Sequence, residues 1–286
     1  MIFGIHSLLF NETFLEKDLP LLQKCKNMGF DAVEIIPFDL DNFPARKTKQ
    51  IASDLGLTIN TGYGMPVECN VISPDPATRK KGHNLSRRLI DVSNEAGAVV
   101  FGGAIYCGWG YLSGKQRTKD EWKWGIEACR KAAEYAQETS NLIIAIEPLN
   151  RFESHFINIA SDAVKFLKEV DMPNVKIHLD TFHMIREENS FSKAIEGCGK
   201  HLGYVHACEN QRGIPGTGLV PWKEFFQSLN KIGYDGCITI ESFDPNMENI
   251  AKLVCIWRDL ADSTELLAIE GLNFLKNMYQ EVYAVN

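Results

Sequence analysis

Short apolar runs recur along the chain and alternate with longer segments in which apolar residues return every three or four positions. The short runs predict strands, and the longer segments predict amphipathic helices that cover them. The run LIIAI at residues 142–146 is apolar without alternation, which is typical of a strand buried on both faces of a parallel sheet. The pattern therefore predicts a parallel sheet with helices packed against it.

Eight strand-plus-helix units follow one another from end to end. The predicted strands are residues 2–7, 31–36, 57–61, 98–103, 142–146, 175–180, 202–206 and 236–241. The predicted helices are residues 14–28, 44–55, 77–96, 119–139, 161–170, 190–198 and 222–231, with a helical tail from about residue 246. Glycines directly after several helices strengthen this interpretation, because glycine commonly ends a helix in the left-handed conformation.

Two architectures share this alternation, an eight-stranded barrel and an open, doubly wound sheet. An open sheet rarely needs eight units and usually carries a glycine fingerprint after its first strand, where this chain has SLLFNE. The predicted fold class is therefore α/β, a (β/α)8 TIM barrel. No linker, low-complexity run or charge block interrupts the units, so residues 1–286 are predicted to form a single barrel domain.

Composition narrows the cellular setting without assigning a function. The formal net charge of −7 predicts no general attraction to nucleic acid or to an anionic membrane. Eight cysteines without CxxC spacing are interpreted as reduced residues of a cytoplasmic protein. The N-terminal run MIFGIHSLLF lacks the pattern of a signal peptide, and no stretch approaches the ~20 apolar residues of a membrane helix.

Four predicted strands end in a side chain that can bind a metal ion. Glu147 ends the fifth strand, Asp180 the sixth, His206 the seventh and Glu241 the eighth. Their spacing suits successive βαβ units, which take ~30 residues or more. Because the C-terminal ends of barrel strands meet at one rim, the four side chains are predicted to share a site. One of them alone could simply close a buried ion pair, but four in register are harder to attribute to chance.

The donor set favours a particular class of cation. Three carboxylates and one imidazole are typical of a site for a borderline-hard divalent ion and not of a thiolate-type zinc site. One divalent metal ion is therefore predicted, with Mn²⁺ preferred and Co²⁺ or Mg²⁺ as alternatives. Glu34, on the second strand, is expected to have a structural hydrogen-bonding role.

The runs IEPLNRFE, HLDTFHM, VHACENQRGIPGTG and TIESF resemble the ketose 3-epimerases. This family includes D-tagatose 3-epimerase and D-allulose (psicose) 3-epimerase and belongs to the xylose-isomerase-like TIM barrels. The resemblance covers essentially the whole chain, from GIHS in the first strand to the final helix. It implies a barrel, an isomerase activity and a homodimer or homotetramer.

The resemblance also assigns roles to individual residues. The implied metal ligands are Glu147, Asp180, His206 and Glu241. Glu147 and Glu241 are also the implied acid/base pair. The implied substrate-binding residues are Glu153, His183 and Arg212. His6 and Trp109, near the ends of the first and fourth strands, are expected to wall the pocket.

These residue types suit the chemistry of a ketose 3-epimerase. Inversion at C3 removes a weakly acidic proton beside the carbonyl, and the resulting cis-enediolate needs the stabilisation that a divalent metal gives as a Lewis acid. The proton must be taken from one face and returned to the other, which two glutamates can do as general base and general acid. A one-base isomerase instead returns the proton on the same face, to the neighbouring carbon.

The predicted substrate class is a free, non-phosphorylated ketose such as D-fructose, D-allulose, D-tagatose or a ketopentose. Sugar-phosphate barrels usually bind the phosphate after strands seven and eight, whereas the acidic segment ESFDPNME follows strand eight here. Preference among ketoses is expected to depend on the pocket around Met65, Val67, Cys69 and Trp109.

Three alternatives stay open at this point. An aldose-ketose isomerase of the same group, such as a hydroxypyruvate isomerase, resembles the chain at the metal ligands and needs only one mobile base. A metal-dependent endonuclease for abasic DNA needs additional histidines on early strands, whereas strands two and three end in EIIPF and TGYGM. A non-catalytic sugar-binding barrel would keep the ligands without turnover, which the presence of both carboxylates disfavours.

Overall fold

Eight parallel strands close into a barrel in a computed structural model, which describes residues 1–283. The strands are β1 Ile2–His6, β2 Ala32–Ile35, β3 Thr58–Gly62, β4 Ala98–Gly103, β5 Ile143–Ile146, β6 Val175–Asp180, β7 Leu202–Ala207 and β8 Cys237–Ile240. Each strand pairs with its neighbours in sequence, and β8 closes the barrel against β1 by pairing Ile240 with Ile5. The predicted (β/α)8 TIM barrel is confirmed.

Helices connect the strands and surround the barrel. They are α1 Pro20–Asn27, α2 Ala45–Leu55, α3 Pro76–Glu95, α4 Lys119–Thr139, α5 Ala160–Val170, α6 Thr181–Glu187, α7 Phe191–Cys198, α8 Trp222–Lys231, α9 Glu248–Val254 and α10 Thr264–Tyr283. Within residues 1–283, no helix is both long enough and apolar enough to cross a membrane.

The main apolar core lies between the strands and the helices. Side chains such as Ile5, Val33 and Ile144 are fully buried in it. Alternate strand residues face into the barrel, since the side-chain period of a strand is two. The smaller cluster inside the barrel consists of Ala32, Val100, Ala145, Tyr204 and Cys237. The layer above this cluster is polar and carries the candidate site.

Two glycines make room for polar groups inside the barrel. A Cβ atom on Gly62 would overlap the carboxylate of Glu34, and one on Gly102 would lie 3.3 Å from His178 Nδ1. Glu34 and His178 are themselves buried. Glycine at these two positions therefore leaves space for the polar layer below the C-terminal rim.

Two predicted helices differ from the structure in their bounds. The helix predicted from residue 14 begins only at Pro20, after a 3₁₀ turn at Glu16–Asp18. Proline suits the first helical position because its missing N–H would have no partner there. The helical tail predicted from residue 246 is two helices, since Cys255 adopts the left-handed conformation (φ 57°) and ends α9.

Candidate active site

All nine residues predicted to bind metal or substrate lie at the C-terminal rim of the barrel. Eight of them line one cavity: His6, Trp109, Glu147, Glu153, His183, His206, Arg212 and Glu241. The ninth, Asp180, is almost fully buried beside it and contacts Arg212. The cavity has a volume of about 730 Å³ and opens to solvent. The structure thus brings the nine side chains together, and their individual roles stay predictions.

Glu147 and Asp180 come from adjacent strands, Glu147 directly after β5 and Asp180 at the end of β6. His183 Nε2 lies 3.6 Å from Glu147 Oε1 and 3.8 Å from Asp180 Oδ2. Asp180 Oδ1 accepts a hydrogen bond from Phe182 N at 2.7 Å and so caps α6. The sequence pattern did not predict α6, yet this helix orients Asp180 and carries His183 into the site.

His206, on β7, is held by Glu34 of β2. Its Nε2 lies 2.6 Å from Glu34 Oε2, and Tyr204 Oη donates to the same oxygen, also at 2.6 Å. His206 Nδ1 forms no hydrogen bond within the described residues and lies 3.5 Å from Glu241 Oε2. A carboxylate on the far ring nitrogen is typical of metal-binding histidines, because it fixes the ring orientation and raises the basicity of the ligand.

Glu241, directly after β8, faces several basic groups. Its Oε2 accepts from Arg212 Nη1, and its Oε1 lies 3.9 Å from His6 Nε2. Arg212 Nη1 also donates to Asp180 Oδ2 at 2.9 Å and contacts Cys208 Sγ at 2.9 Å. The buried guanidinium therefore joins carboxylates of β6 and β8 and offsets part of the negative charge gathered at the rim.

The two candidate acid/base glutamates differ in acidity. Burial raises the pKa of the Glu147 carboxyl well above its ordinary value; His206 opposes this, and the charges of Asp180 and Glu241 add to it. Burial also raises the pKa of Glu241, but Arg212 and His206 outweigh it and hold the pKa well below its ordinary value. Before a cation binds, Glu147 thus favours its protonated form and Glu241 its ionised form.

A second polar cluster occupies the loop after β5. Glu153 accepts hydrogen bonds from Trp109 Nε1 at 2.8 Å and Asn150 Nδ2 at 2.7 Å. Asn150 N donates to His183 Nδ1 at 3.0 Å, which leaves the proton of the neutral ring on Nε2, towards Glu147. Burial lowers the pKa of His183 and so favours this neutral form. Asn150 has no predicted role, although it lies inside the run IEPLNRFE between the two predicted glutamates.

His178 also reaches the site, although the sequence interpretation assigned it no role. Its Nδ1 lies 3.9 Å from Glu147 Oε2, and its ring meets that of His206 edge-on with centroids 4.0 Å apart. Neither of its ring nitrogens has a hydrogen-bond partner among the described residues. The run VKIHLD contains the signal that places it there, because residues two apart on a strand, such as His178 and Asp180, share a face.

Three groups of side chains at this rim could hold a metal ion, with ligand atoms within 4.8 Å of one another. They are Glu147 with His178 and His206, Glu147 with Asp180 and His183, and Asp180 with Cys208 and Glu241. All four predicted ligands belong to these groups. Carboxylate and imidazole donors around an unpartnered His206 Nδ1 fit a divalent cation.

The cavity is lined by different apolar residues from those expected to set the preference among ketoses. Its apolar lining includes Leu8, Ile36, Phe38, Tyr63, Phe243, Leu253 and Val254. Met65 is fully buried and is not among the residues that line the cavity; its backbone N donates to Ala104 O at 3.0 Å and its backbone O accepts from Trp109 N at 2.7 Å. Val67–Cys69 form a 3₁₀ turn outside the cavity. Of the four residues expected to set ketose preference, only Trp109 lines the cavity.

Glu34→Gln is expected to weaken divalent-metal binding by roughly 10- to 100-fold, because it removes the charge that orients His206. Titration calorimetry with Mn²⁺ measures the affinity. Tyr204→Phe is the matched control, since it removes the other donor to Glu34 Oε2 and leaves the contact with His206. Unchanged affinity in a folded Glu34→Gln protein would show that Glu34 does not support a metal ligand.

Comparison with known proteins identifies the family. A family model described as xylose isomerase-like TIM barrel matches residues 22–278. The chain is 35% identical over 256 residues to L-ribulose 3-epimerase of Methylomonas sp. strain DH-1, covering 88% of each chain. It is 35% identical over 249 residues to D-psicose 3-epimerase of Ruminiclostridium cellulolyticum, covering 85% of this chain and 84% of that one. The chain belongs to the ketose 3-epimerase family.

Solved structures of similar proteins agree with this membership. A structure of L-ribulose 3-epimerase has a TM-score of 0.95 at 28% identity and covers 99% of this chain and 96% of its own. D-allulose 3-epimerase from Methylomonas sp., crystallised with D-allulose, has a TM-score of 0.92 at 32% identity, covering 98% and 97%. The protein is thus an isomerase of the racemase and epimerase class, as the resemblance predicted.

Proposed function

We propose that this protein inverts C3 of a free ketose with the help of one divalent metal ion. The arrangement of Glu147 and Glu241 carries the proposal: they follow β5 and β8, three strands apart around the rim, and both line the same cavity. Family membership supports the reaction, since relatives are named as 3-epimerases of L-ribulose and D-psicose. Mn²⁺ is the proposed metal, with Co²⁺ and Mg²⁺ as alternatives.

The proposed metal ligands are Glu147, Asp180, His206 and Glu241. A bound divalent ion would act as a Lewis acid and stabilise the negative charge that develops on the sugar when C3 is deprotonated. Asp180 and His206 are the better-fixed pair of donors, because one caps α6 and the other is held by Glu34.

Glu147 and Glu241 are proposed to move the C3 proton. One carboxylate removes it as general base, and the other returns a proton to the opposite face as general acid. The configuration of the bound sugar at C3 decides which of the two acts first. Both directions of an epimerisation therefore use the same pair in exchanged roles.

Arg212 and His183 are proposed to bind the carbonyl end of the sugar, and Glu153 is proposed to bind one of its hydroxyl groups. The Arg212 guanidinium is held 3.6 Å from the centroid of the Phe182 ring, and the geometry of His183 places an N–H towards the cavity. These groups donate hydrogen bonds to sugar oxygens, whereas Glu153 accepts from a hydroxyl. His6 and Trp109 are proposed to complete the wall.

The charges around the cavity favour an unphosphorylated sugar. Among residues 1–283, Arg212 is the only lysine or arginine that lines the cavity. It already contacts Asp180 and Glu241, so it offers little additional charge to a phosphate group. This supports the proposal of a free ketose.

The product distinguishes this reaction from aldose-ketose isomerisation, which needs only one carboxylate. The metal-loaded protein is incubated separately with D-fructose, D-tagatose, D-ribulose and hydroxypyruvate, and the products are separated by chromatography and assigned by NMR. A C3 epimer that forms only with metal is the expected result. An aldose product, or turnover of hydroxypyruvate alone, would contradict C3 epimerisation and leave the barrel and the metal site unaffected.

A further inference from the structure

Arg212 lies on the loop between β7 and α8 in an unusual backbone conformation. Its φ is 67°, in the left-handed region that non-glycine residues adopt only when their surroundings hold them. The side chain is nevertheless fixed, with Nη1 in contact with Asp180, Cys208 and Glu241. The loop must therefore contain a feature that stabilises this conformation.

Glu209, at the start of the same loop, is a fully buried carboxylate. Four hydrogen-bond donors from across the loop converge on its side chain. They are Asn210 N at 3.1 Å and Val220 N at 3.0 Å on Oε1, with Gly216 N and Trp222 Nε1 at 2.9 Å on Oε2. One side chain thus connects both ends of the loop to its middle.

The turn that contains Arg212 is built directly on Glu209. Arg212 N donates to the backbone oxygen of Glu209 at 2.9 Å, and Ser242 Oγ donates to Arg212 O at 2.5 Å. The loop packs closely around the carboxylate, since a Cβ atom on Gly218 would lie 2.7 Å from Glu209 Oε1. Glu209 is not among the described residues that line the cavity.

We propose that Glu209 is a positioning residue for Arg212. Its side chain closes the loop so that the Arg212 guanidinium points at the substrate cavity and reaches the rim carboxylates. This inference rests on the proposed function, in which Arg212 binds the carbonyl end of the sugar. Glu209 itself touches neither the cavity nor the reacting atoms, so it acts only through Arg212.

A carboxylate suits this position because it accepts hydrogen bonds and donates none when ionised. A glutamine of the same shape would turn an amide group towards one of the two pairs of donors. Those N–H groups would then be buried without an acceptor, which is costly enough to move the loop. Glu209→Gln is therefore expected to displace Arg212 while leaving every side chain that lines the cavity chemically unchanged.

A double-mutant cycle on kcat/KM for the ketose substrate tests the proposal. Glu209→Gln is expected to lower kcat/KM by roughly 10-fold or more in the wild-type background, mainly through KM, and by less than about 2-fold when Arg212→Gln is already present. The effect in the Arg212→Gln background is small because Glu209 acts only by positioning the Arg212 guanidinium, which that background lacks.

Glu121→Gln is the matched control. Glu121 is also a buried carboxylate that accepts from a backbone N–H, that of Thr118 at the start of α4, and it lies outside the Arg212 loop. Its substitution should change kcat/KM by the same small factor in both backgrounds. Thermal melts followed by circular dichroism confirm that each variant is folded.

Trp222→Phe provides a milder variant for the same cycle, because it removes only one of the four donors to Glu209. It replaces Glu209→Gln if that protein does not fold. The positioning role would be overturned if the Glu209 or Trp222 substitution lowered kcat/KM by the same factor in the wild-type and Arg212→Gln backgrounds, provided that the wild-type enzyme is active. Failure of the proposed function would differ from this result, since the wild type itself would then form no C3 epimer.

Discussion

Glu241→Gln is expected to lower kcat for C3 epimerisation by roughly 10²- to 10⁴-fold, the usual contribution of a positioned general acid or base. The amide can neither accept nor donate the C3 proton, although its shape preserves the contacts with Arg212 and His206. Steady-state kinetics with the best ketose measure the loss, and metal titration of the variant separates it from a change in metal affinity.

The control for this experiment is Asp244→Asn, in the same loop after β8 but outside the cavity lining. It should leave kcat within about 2-fold, as expected of a surface substitution away from the site. Glu241→Gln should still exchange the C3 hydrogen of one epimer with solvent through Glu147. Wild-type turnover in a metal-loaded Glu241→Gln protein would show that Glu241 is not the second base.

Removal of the divalent metal is expected to abolish turnover and leave the barrel folded. The apolar core between strands and helices does not depend on the site, so the far-UV circular dichroism spectrum should not change. Dialysis against a chelator, followed by addition of Mn²⁺, Co²⁺ or Mg²⁺, should remove and restore the activity. Full activity in protein shown by elemental analysis to be free of metal would contradict the prediction.

Metal binding should also strengthen as pH rises. Burial raises the pKa of Glu147, and Glu34 and Glu241 raise that of His206 against the effect of burial. Both groups must lose their protons before they can bind a cation, so protons compete with the metal at low pH. Calorimetric affinities for Mn²⁺ that increase between mildly acidic and neutral pH are the expected result. Constant affinity over this range would show that neither group is a ligand.

The barrel was predictable because the sequence repeats one unit eight times. Residues 142–146 and 175–180 are buried strands between helices with clear apolar faces, and the structure confirms them to within a residue or two. Helix α6 was not predictable in this way, since it follows β6 without a loop and its start depends on the carboxylate of Asp180. The break between α9 and α10 depends on a left-handed cysteine that no pattern marks.

The candidate site was predictable where residues end strands and less so where tertiary contacts place them. The positions of Glu147, Asp180, His206 and Glu241 follow from strand register alone. The link between His206 and Glu34 joins β7 to β2, so only the closed barrel brings the two together. Met65 was also expected to line the cavity, but the folded chain buries it outside the cavity lining.

The most direct test of the two-glutamate account is epimerisation in D₂O with the metal-loaded enzyme, stopped at low conversion. Two bases on opposite faces return a solvent proton to C3, so NMR should show deuterium at C3 of the product and protium at C3 of the remaining substrate. Product that retains protium at C3, or deuterium placed on a neighbouring carbon, would contradict the assignment of Glu147 and Glu241 as an acid/base pair.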